Sequence, residues 1–315
     1  DPDARRPDDP NVLRLLDYPA YFDLLEQPLP ANRAGILAAL ADDRLIRRND
    51  AGGWDITNLG AILFAKRLDA FHALRRKAVR VIQYRGNGRT ETLREQEGGK
   101  GYACGFEGLI GYINGLLPTN EVIGQALRRS VPMFPELAVR ELVANALIHQ
   151  DFFVTGAGPM VEIFEDRIEI TNPGEPLVDT QRFVDTPPRS RNEALASLMR
   201  RFRICEERGS GIDKVVSEIE LFQLPAPLFE KPEGFTRTTM FAHKPLSAMG
   251  KMDRVRACYL HACLRYVTRE FLTNSSLRQR FGLEPSSSAT VSRVIKEAVE
   301  AGAIAPCDPD TSRPR

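Results

Sequence analysis

Glu141 and Asn145 stand four residues apart in a segment whose apolar spacing is helical, which puts a carboxylate and a carboxamide one turn apart on one face. His149 extends that stripe by a further turn, while Leu142, Val143, Ala146 and Leu147 belong to the packed side. A polar stripe on an otherwise apolar helix is costly to bury without a ligand or partner, so it marks a site for a charged molecule. A carboxamide oxygen can ligate Mg²⁺ while the metal bridges phosphates. A carboxylate one turn earlier can orient or deprotonate an attacking water. Further along, the glycines of Gly209-Ser210-Gly211 let the backbone approach phosphate oxygens with its N–H groups. A helix starting at Ile212 would add a dipole favourable to anions.

The elements that position these groups follow from periodicity. Pro135 suits the first turn of the Glu141 helix. Residues 160–164 and 167–171 alternate apolar and polar around Glu165-Asp166 and read as a hairpin packed on one face. Residues 174–191 show no periodicity and an amphipathic helix follows over 193–202; the whole stretch between hairpin and glycines, 175–208, has the length of a mobile lid. Upstream, residues 78–84 read as a strand, 85–100 as a polar glycine-containing loop, and 106–117 as a helix stopped by Pro118. Residues 33–40, then a hairpin within 45–56, then a helix capped by Thr57 or Asn58, outline a small unit. That outline fits either a winged helix or a packing subdomain. Residues 1–18, rich in Asp, Arg and Pro, read as a loose arm. The expected domains are 1–70, an arm with a helix–hairpin unit; 71–245, the core that carries the site; and 250–315, after a composition break at 244–250 that reads as a linker.

Composition narrows the classes. The net charge of +1 gives no global basic field, so any nucleic-acid surface is a local patch. The five cysteines (104, 205, 258, 263 and 307) include no C-x-x-C pair, which points to buried free thiols in a reducing cytoplasm rather than a zinc or redox site. No apolar run reaches the ~20 residues of a membrane span. The chain begins Asp1-Pro2-Asp3 without a methionine, as a fragment or a processed form would.

The order E-x-x-x-N helix, hairpin ending in Asn172-Pro173-Gly174, irregular loop and glycine pair resembles the GHKL superfamily of ATP-binding domains, which includes gyrase and histidine kinases. The resemblance implies ATP and Mg²⁺ as ligands. It implies Glu141 as catalytic base, Asn145 as the Mg²⁺ ligand, and Gly209, Ser210 and Gly211 around phosphate. In that family a D-x-G-x-G turn reads adenine. Here Asn172 stands for the aspartate, Gly174 matches the first glycine and Pro176 replaces the second. An asparagine oxygen can still accept from the adenine amino group. Residues 141–151, 165–174, 190–192 and 206–212 together resemble more closely the bacterial RecG-related family of helicase-like proteins and transcriptional regulators, in which a Schlafen-type AlbA-like domain normally precedes this part. Only the tail of such a domain could lie within residues 1–70. His149, Asp151, Arg191 and Asn192 fall in these motifs as candidate nucleotide contacts, with Arg189 beside them as a lid residue that could touch phosphate. A structural histidine, a helix-end turn and a solvated loop are the alternatives. A motor helicase needs the P-loop G-x-x-x-x-G-K-[ST], and the nearest stretch, Gly98-Gly99-Lys100-Gly101, lacks its first glycine and its hydroxyl residue.

Residues 254–266, 275–281 and 289–301 carry helical patterns, the last two reading as a helix-turn-helix, with Ala303–Pro306 as a degenerate wing. Arg278, Arg280, Ser288, Thr290, Arg293 and Lys296 populate the face that would meet DNA. Dimerisation or plain packing is the alternative use of this module. The expected protein is α+β: a GHKL-type α/β sandwich, with a mixed or antiparallel sheet and helices on one face, plus a C-terminal winged helix-turn-helix. Its expected role is a cytoplasmic, ATP-binding regulator of transcription in which lid closure re-poses the winged helix or a homodimer interface. An ATPase of DNA metabolism with weak Mg²⁺-dependent turnover, or a non-catalytic regulator with a decayed pocket, are the rivals.

Overall fold

Side-chain caps open two of the N-terminal helices of this computed structural model, which describes residues 9–123, 128–187, 189–205 and 211–307. After α1 (Asp9–Leu15) and α2 (Tyr18–Leu24), Asn32 accepts from the Gly35 amide at 2.8 Å and opens α3 (Arg33–Asp42). The hairpin β1 (Ile46–Arg48) and β2 (Trp54–Ile56) follows, and Thr57 caps α4 (Asn58–Phe64) in the same way. Gly60 is required there, because a Cβ would overlap the Leu45 carbonyl.

The core is a six-stranded mixed sheet. Its strands are β3 (Arg80–Tyr84), β4 (Thr92–Glu97), β7 (Met160–Ile163), β8 (Arg167–Pro173), β9 (Leu228–Glu230) and β10 (Phe235–Phe241), in the order β4-β3-β7-β8-β10-β9. Only β3 and β7 run parallel, joined by a crossover that holds α5 (Tyr102–Leu116), a small hairpin of β5 (Thr119–Ile123) with β6 (Arg128–Pro132), and α6 (Glu136–His149). Helix α6 packs on β8 between α5 and α8 (Gly211–Leu221); α7 (Glu193–Arg201) follows the irregular segment 174–192. This mixed sheet with helices fits an α/β ATPase-like fold.

The structure differs from the sequence expectations in several places. The loose arm expected at 1–18 is helical over Asp9–Leu15, with Val12 and Leu16 buried in the core. Part of the loop expected at 85–100 is β4, and β9 and β10, which periodicity did not reveal, complete the sheet. The expected wing at 303–306 does not form: among the described residues of the module no strand exists for it to pair with, and a lone strand leaves its backbone unsatisfied. The C-terminal part is therefore three helices, α9 (Lys251–Val267), α10 (Asn274–Arg280) and α11 (Ser288–Glu300). The stretch at 244–250 is no loose linker either, since Leu246 and Met249 are buried in the common core. All five cysteines are free, but only Cys258 is fully buried and Cys307 is exposed. Among the described residues no helix is long and apolar enough to cross a membrane.

Candidate functional site

Helix α6 shows the stripe that its sequence demands. Leu142, Val143, Ala144, Ala146, Leu147 and Ile148 are buried, while Glu141, Asn145 and His149 are half-exposed at successive turns. These three face a cavity of about 700 Å³. Its floor is the inner face of β8 and β10, where the register Asn172↔Thr236 and Ile170↔Thr238 places those four side chains together by the two-residue period of a strand. The segment 175–190, the inward stripe of α7 and the start of α8 close the remaining sides. This volume lies within the range of small-molecule sites.

Asn172 is buried on that floor, and its Nδ2 donates to the Pro173 carbonyl at 3.1 Å. That bond leaves Oδ1 as the amide's acceptor. Burial, and secondarily the charge of Arg191, push the His149 pKa below the ordinary histidine value, which keeps the ring neutral. Gly211, the first residue of α8, is packed against Glu141 so closely that a Cβ there would fall inside the carboxylate. Its close approach to Glu141 is thus a second reason for glycine at this position. Gly209 and Ser210 lie outside the described residues.

Four other sequence candidates do not line the cavity. Arg191 donates to Asp151 at 3.2 Å and to the Glu175 carbonyl at 2.7 Å, and Asp151 also accepts from the Phe153 amide at 2.9 Å. Asn192 donates to the carbonyls of Ile148 (2.7 Å) and Gln150 (2.8 Å), satisfying acceptors that the end of α6 leaves open. Gly174, at φ +101°, lets the end of β8 pass Asp151, whose Cβ would lie 2.9 Å from any Cβ added there. Together these residues tie the end of α6, the end of β8 and the start of α7. Through these bonds they position the walls of the cavity.

Sequence reasoning missed Lys77. It is buried and donates to the carbonyls of Asp151, Val154 and Ala157 at 3.3, 2.7 and 3.2 Å, pinning the loop after α6. It also missed Ser190, Ser197, Arg200, Thr236 and Thr238 as lining residues, whereas Arg189, a candidate in the sequence, does line the cavity. The alternation within 235–241 and the amphipathic pattern of α7 were the available signals.

Among the described residues no group of three or more His, Cys, Asp and Glu could hold a metal alone. Mg²⁺ bound with a nucleotide takes few protein ligands and fills its shell with phosphate and water. Asn145, with Glu141 one turn away, fits that requirement.

On the C-terminal helices, Ser288, Thr290, Arg293 and Lys296 of α11 are exposed and Arg278 of α10 is half-exposed. Arg280 is not on this face. It is buried, donates to the Leu224 carbonyl at 2.7 Å and lies 3.8 Å from Glu220, so it docks the module onto the end of α8. Its place on the buried face of a two-turn helix removes it from any DNA contact.

Residues 156–240 match the family described as "Putative ATP-dependent DNA helicase recG C-terminal". The matched segment agrees with a RecG-related, GHKL-type ATPase domain. It includes Asn172, Gly174, Arg191, Asn192 and the glycines at 209 and 211, and it begins after α6. The crystal structure of the DIP2311 protein from Corynebacterium diphtheriae shares the fold at a TM-score of 0.57 and 19% identity, over 91% of this chain and 56% of that one. This chain thus spans little more than half the length of that protein. No curated protein matches it.

Proposed function

We propose that this RecG-related, GHKL-type ATPase domain binds Mg²⁺-ATP in the cavity beside α6, and that binding controls how the C-terminal helices meet DNA. The observation that carries the reading is the stripe Glu141, Asn145 and His149 on one wall of a cavity whose floor holds the buried amide of Asn172. In this reading residues 71–245 form the ATPase domain, 250–315 the DNA-facing module, and 1–70 a buttress.

Each residue has a physical task. Bound Mg²⁺ would neutralise phosphate charge. Asn145 would hold it through the carboxamide oxygen. Asn172 Oδ1 would accept from the adenine amino group. The backbone of 209–211 would cradle phosphate. Glu141, steadied by its packing against Gly211, would position water and take its proton. His149, neutral at pH 7, would offer a hydrogen bond rather than a charge. Thr290, Arg293 and Lys296, with Arg278 beside them, would contact DNA phosphates.

Calorimetric titration of wild type and Asn145→Ala with Mg²⁺-ATP tests the core of this. Saturable binding that the substitution abolishes supports it, and no binding in wild type overturns it. Turnover lost in Glu141→Gln with binding retained would assign hydrolysis as the purpose of the site.

A further inference from the structure

We infer that Arg200, assisted by Arg189, forms an anion subsite on the lid side of the cavity and sets the preference for a nucleoside triphosphate over a monophosphate. This rests on the nucleotide reading above; Arg189 is a lid residue that the sequence offered for phosphate, and Arg200 belongs to none of the motifs.

Six arginines lie between positions 182 and 203. Four are paired to carboxylates. Arg182 meets Asp185 at 2.9 Å, Arg191 meets Asp151 at 3.2 Å, Arg203 meets Glu26 at 2.6 Å, and Arg201 holds Asp43 through Nη1 at 2.8 Å. The other two, Arg189 and Arg200, make no ion pair among the described residues, and both line the cavity. The division is therefore by position: arginines that brace the fold have a counter-charge, and those that face the cavity lack one.

Helix α7 explains why Arg200 points there. Leu195, Leu198 and Met199 bury one face in the core. Glu193, Ser197 and Arg200, spaced four and then three residues apart, form the opposite stripe and reach the cavity. Phe202, stacked edge-to-face on Phe64 with centroids 5.3 Å apart, and the Arg201–Asp43 pair fix the helix end, so the Arg200 backbone is anchored. Between the two arginines in the chain, the Ser190 Oγ lines the same cavity and is buried without a hydrogen-bond partner among the described residues. A half-enclosed guanidinium and an orphaned hydroxyl are donors that a phosphate oxygen would satisfy. Of the carboxylates that could compete, Glu175 is engaged by Lys231 at 3.3 Å, Glu193 is exposed, and Glu141 stands on α6 against Gly211.

The test is calorimetric titration with Mg²⁺-ATP and with AMP of wild type, Arg200→Gln, Arg200→Lys and the double variant Arg189→Gln/Arg200→Gln. Losing a charge-assisted contact should weaken Mg²⁺-ATP binding roughly 10- to 100-fold in Arg200→Gln, further in the double variant, and less in Arg200→Lys. AMP affinity should stay within about twofold, which also shows that the variants are folded. If wild type binds Mg²⁺-ATP and the double variant binds it equally well, the subsite is wrong while the nucleotide reading stands. An equal loss for AMP and ATP likewise overturns the assignment to the terminal phosphates. If wild type binds neither nucleotide, both readings fall together.

Discussion

Gly211 is the position where one added methyl group has the largest expected effect on chemistry. The helix start is buried against Glu141, and neither α6 nor α8 has room to retreat from the core. Gly211→Ala should push the carboxylate aside, lowering turnover by roughly 100-fold, as small misplacements of a reacting group do. Affinity for Mg²⁺-ATP should change far less; stopped-time assays of phosphate release alongside titration separate the two. His149 gives a pH signature. Its pKa is lowered on folding by burial and by Arg191, so the unfolded chain binds its proton first as pH falls. The stability this neutral ring contributes is complete above its ordinary value of 6.5 and is lost as pH drops towards the lower folded value. Urea titrations at pH 7.5 and pH 5 should therefore show a smaller acid loss in His149→Gln than in wild type. The stripe of 141, 145 and 149 was legible because helical spacing is local. The bracing role of Arg191 was not, because its partner Asp151 lies 40 residues away in the chain, and the same pattern of residues suits a phosphate contact equally well.

At the scale of elements, α10 owes its place to one buried cation. Arg280 sits within reach of Glu220, whose other oxygen lies 2.9 Å from His261 Nδ1, while His261 Nε2 lies 3.1 Å from Ser276. Arg280→Ala leaves Glu220 partly uncompensated and opens a gap. It should cost about 3 kcal/mol of stability by chemical denaturation, with no specific effect on DNA affinity once folded protein is compared. Arg293→Ala/Lys296→Ala should do the reverse. Melting should shift little, and DNA binding should weaken with a salt slope reduced by about 2. Thr273 and Ser276 form a reciprocal cap on the same helix, and Thr273→Ala should cost about 1 kcal/mol. The main helices and the β7–β8 hairpin were legible because one face of each is apolar at the proper period. Strand β4 was not: all six of its residues are exposed at the sheet edge, so burial imposed no alternation on Thr-Leu-Arg-Glu-Gln-Glu. The error at 303–306 has the opposite origin. An apolar run was present, but a strand is a property of two segments, and the second is missing among the described residues.

At the scale of the whole molecule, two of the physical routes between the cavity and the C-terminal helices run through α8 and through segment 175–190, beside the packing of Arg256 of α9 on Phe241 of β10. Helix α8 begins against Glu141 and ends at Glu220, which meets His261 and Arg280 of the C-terminal module. On the side of segment 175–190, the Tyr259 hydroxyl of α9 donates to the Gln181 carbonyl at 2.6 Å, and Phe183 meets Phe229 edge-on with centroids 5.2 Å apart. Among its described residues, segment 175–190 carries no helix beyond the single turn Thr180–Arg182, so their backbone has few internal bonds to oppose movement. A ligand that draws this segment inwards would pull on Tyr259, whereas α8 would hold the other end of the module fixed. The expected response is a local change in α9 rather than undocking of all three helices. Hydrogen exchange with and without Mg²⁺-ATP checks this: protection should change in 179–185 and in the turns of α9 around Tyr259, while the amides of α10 stay constant. In Tyr259→Phe the lid response should persist and the α9 response should shrink. If instead α9 responds equally in both proteins, the signal travels through α8, and Glu220→Gln becomes the variant that should abolish it.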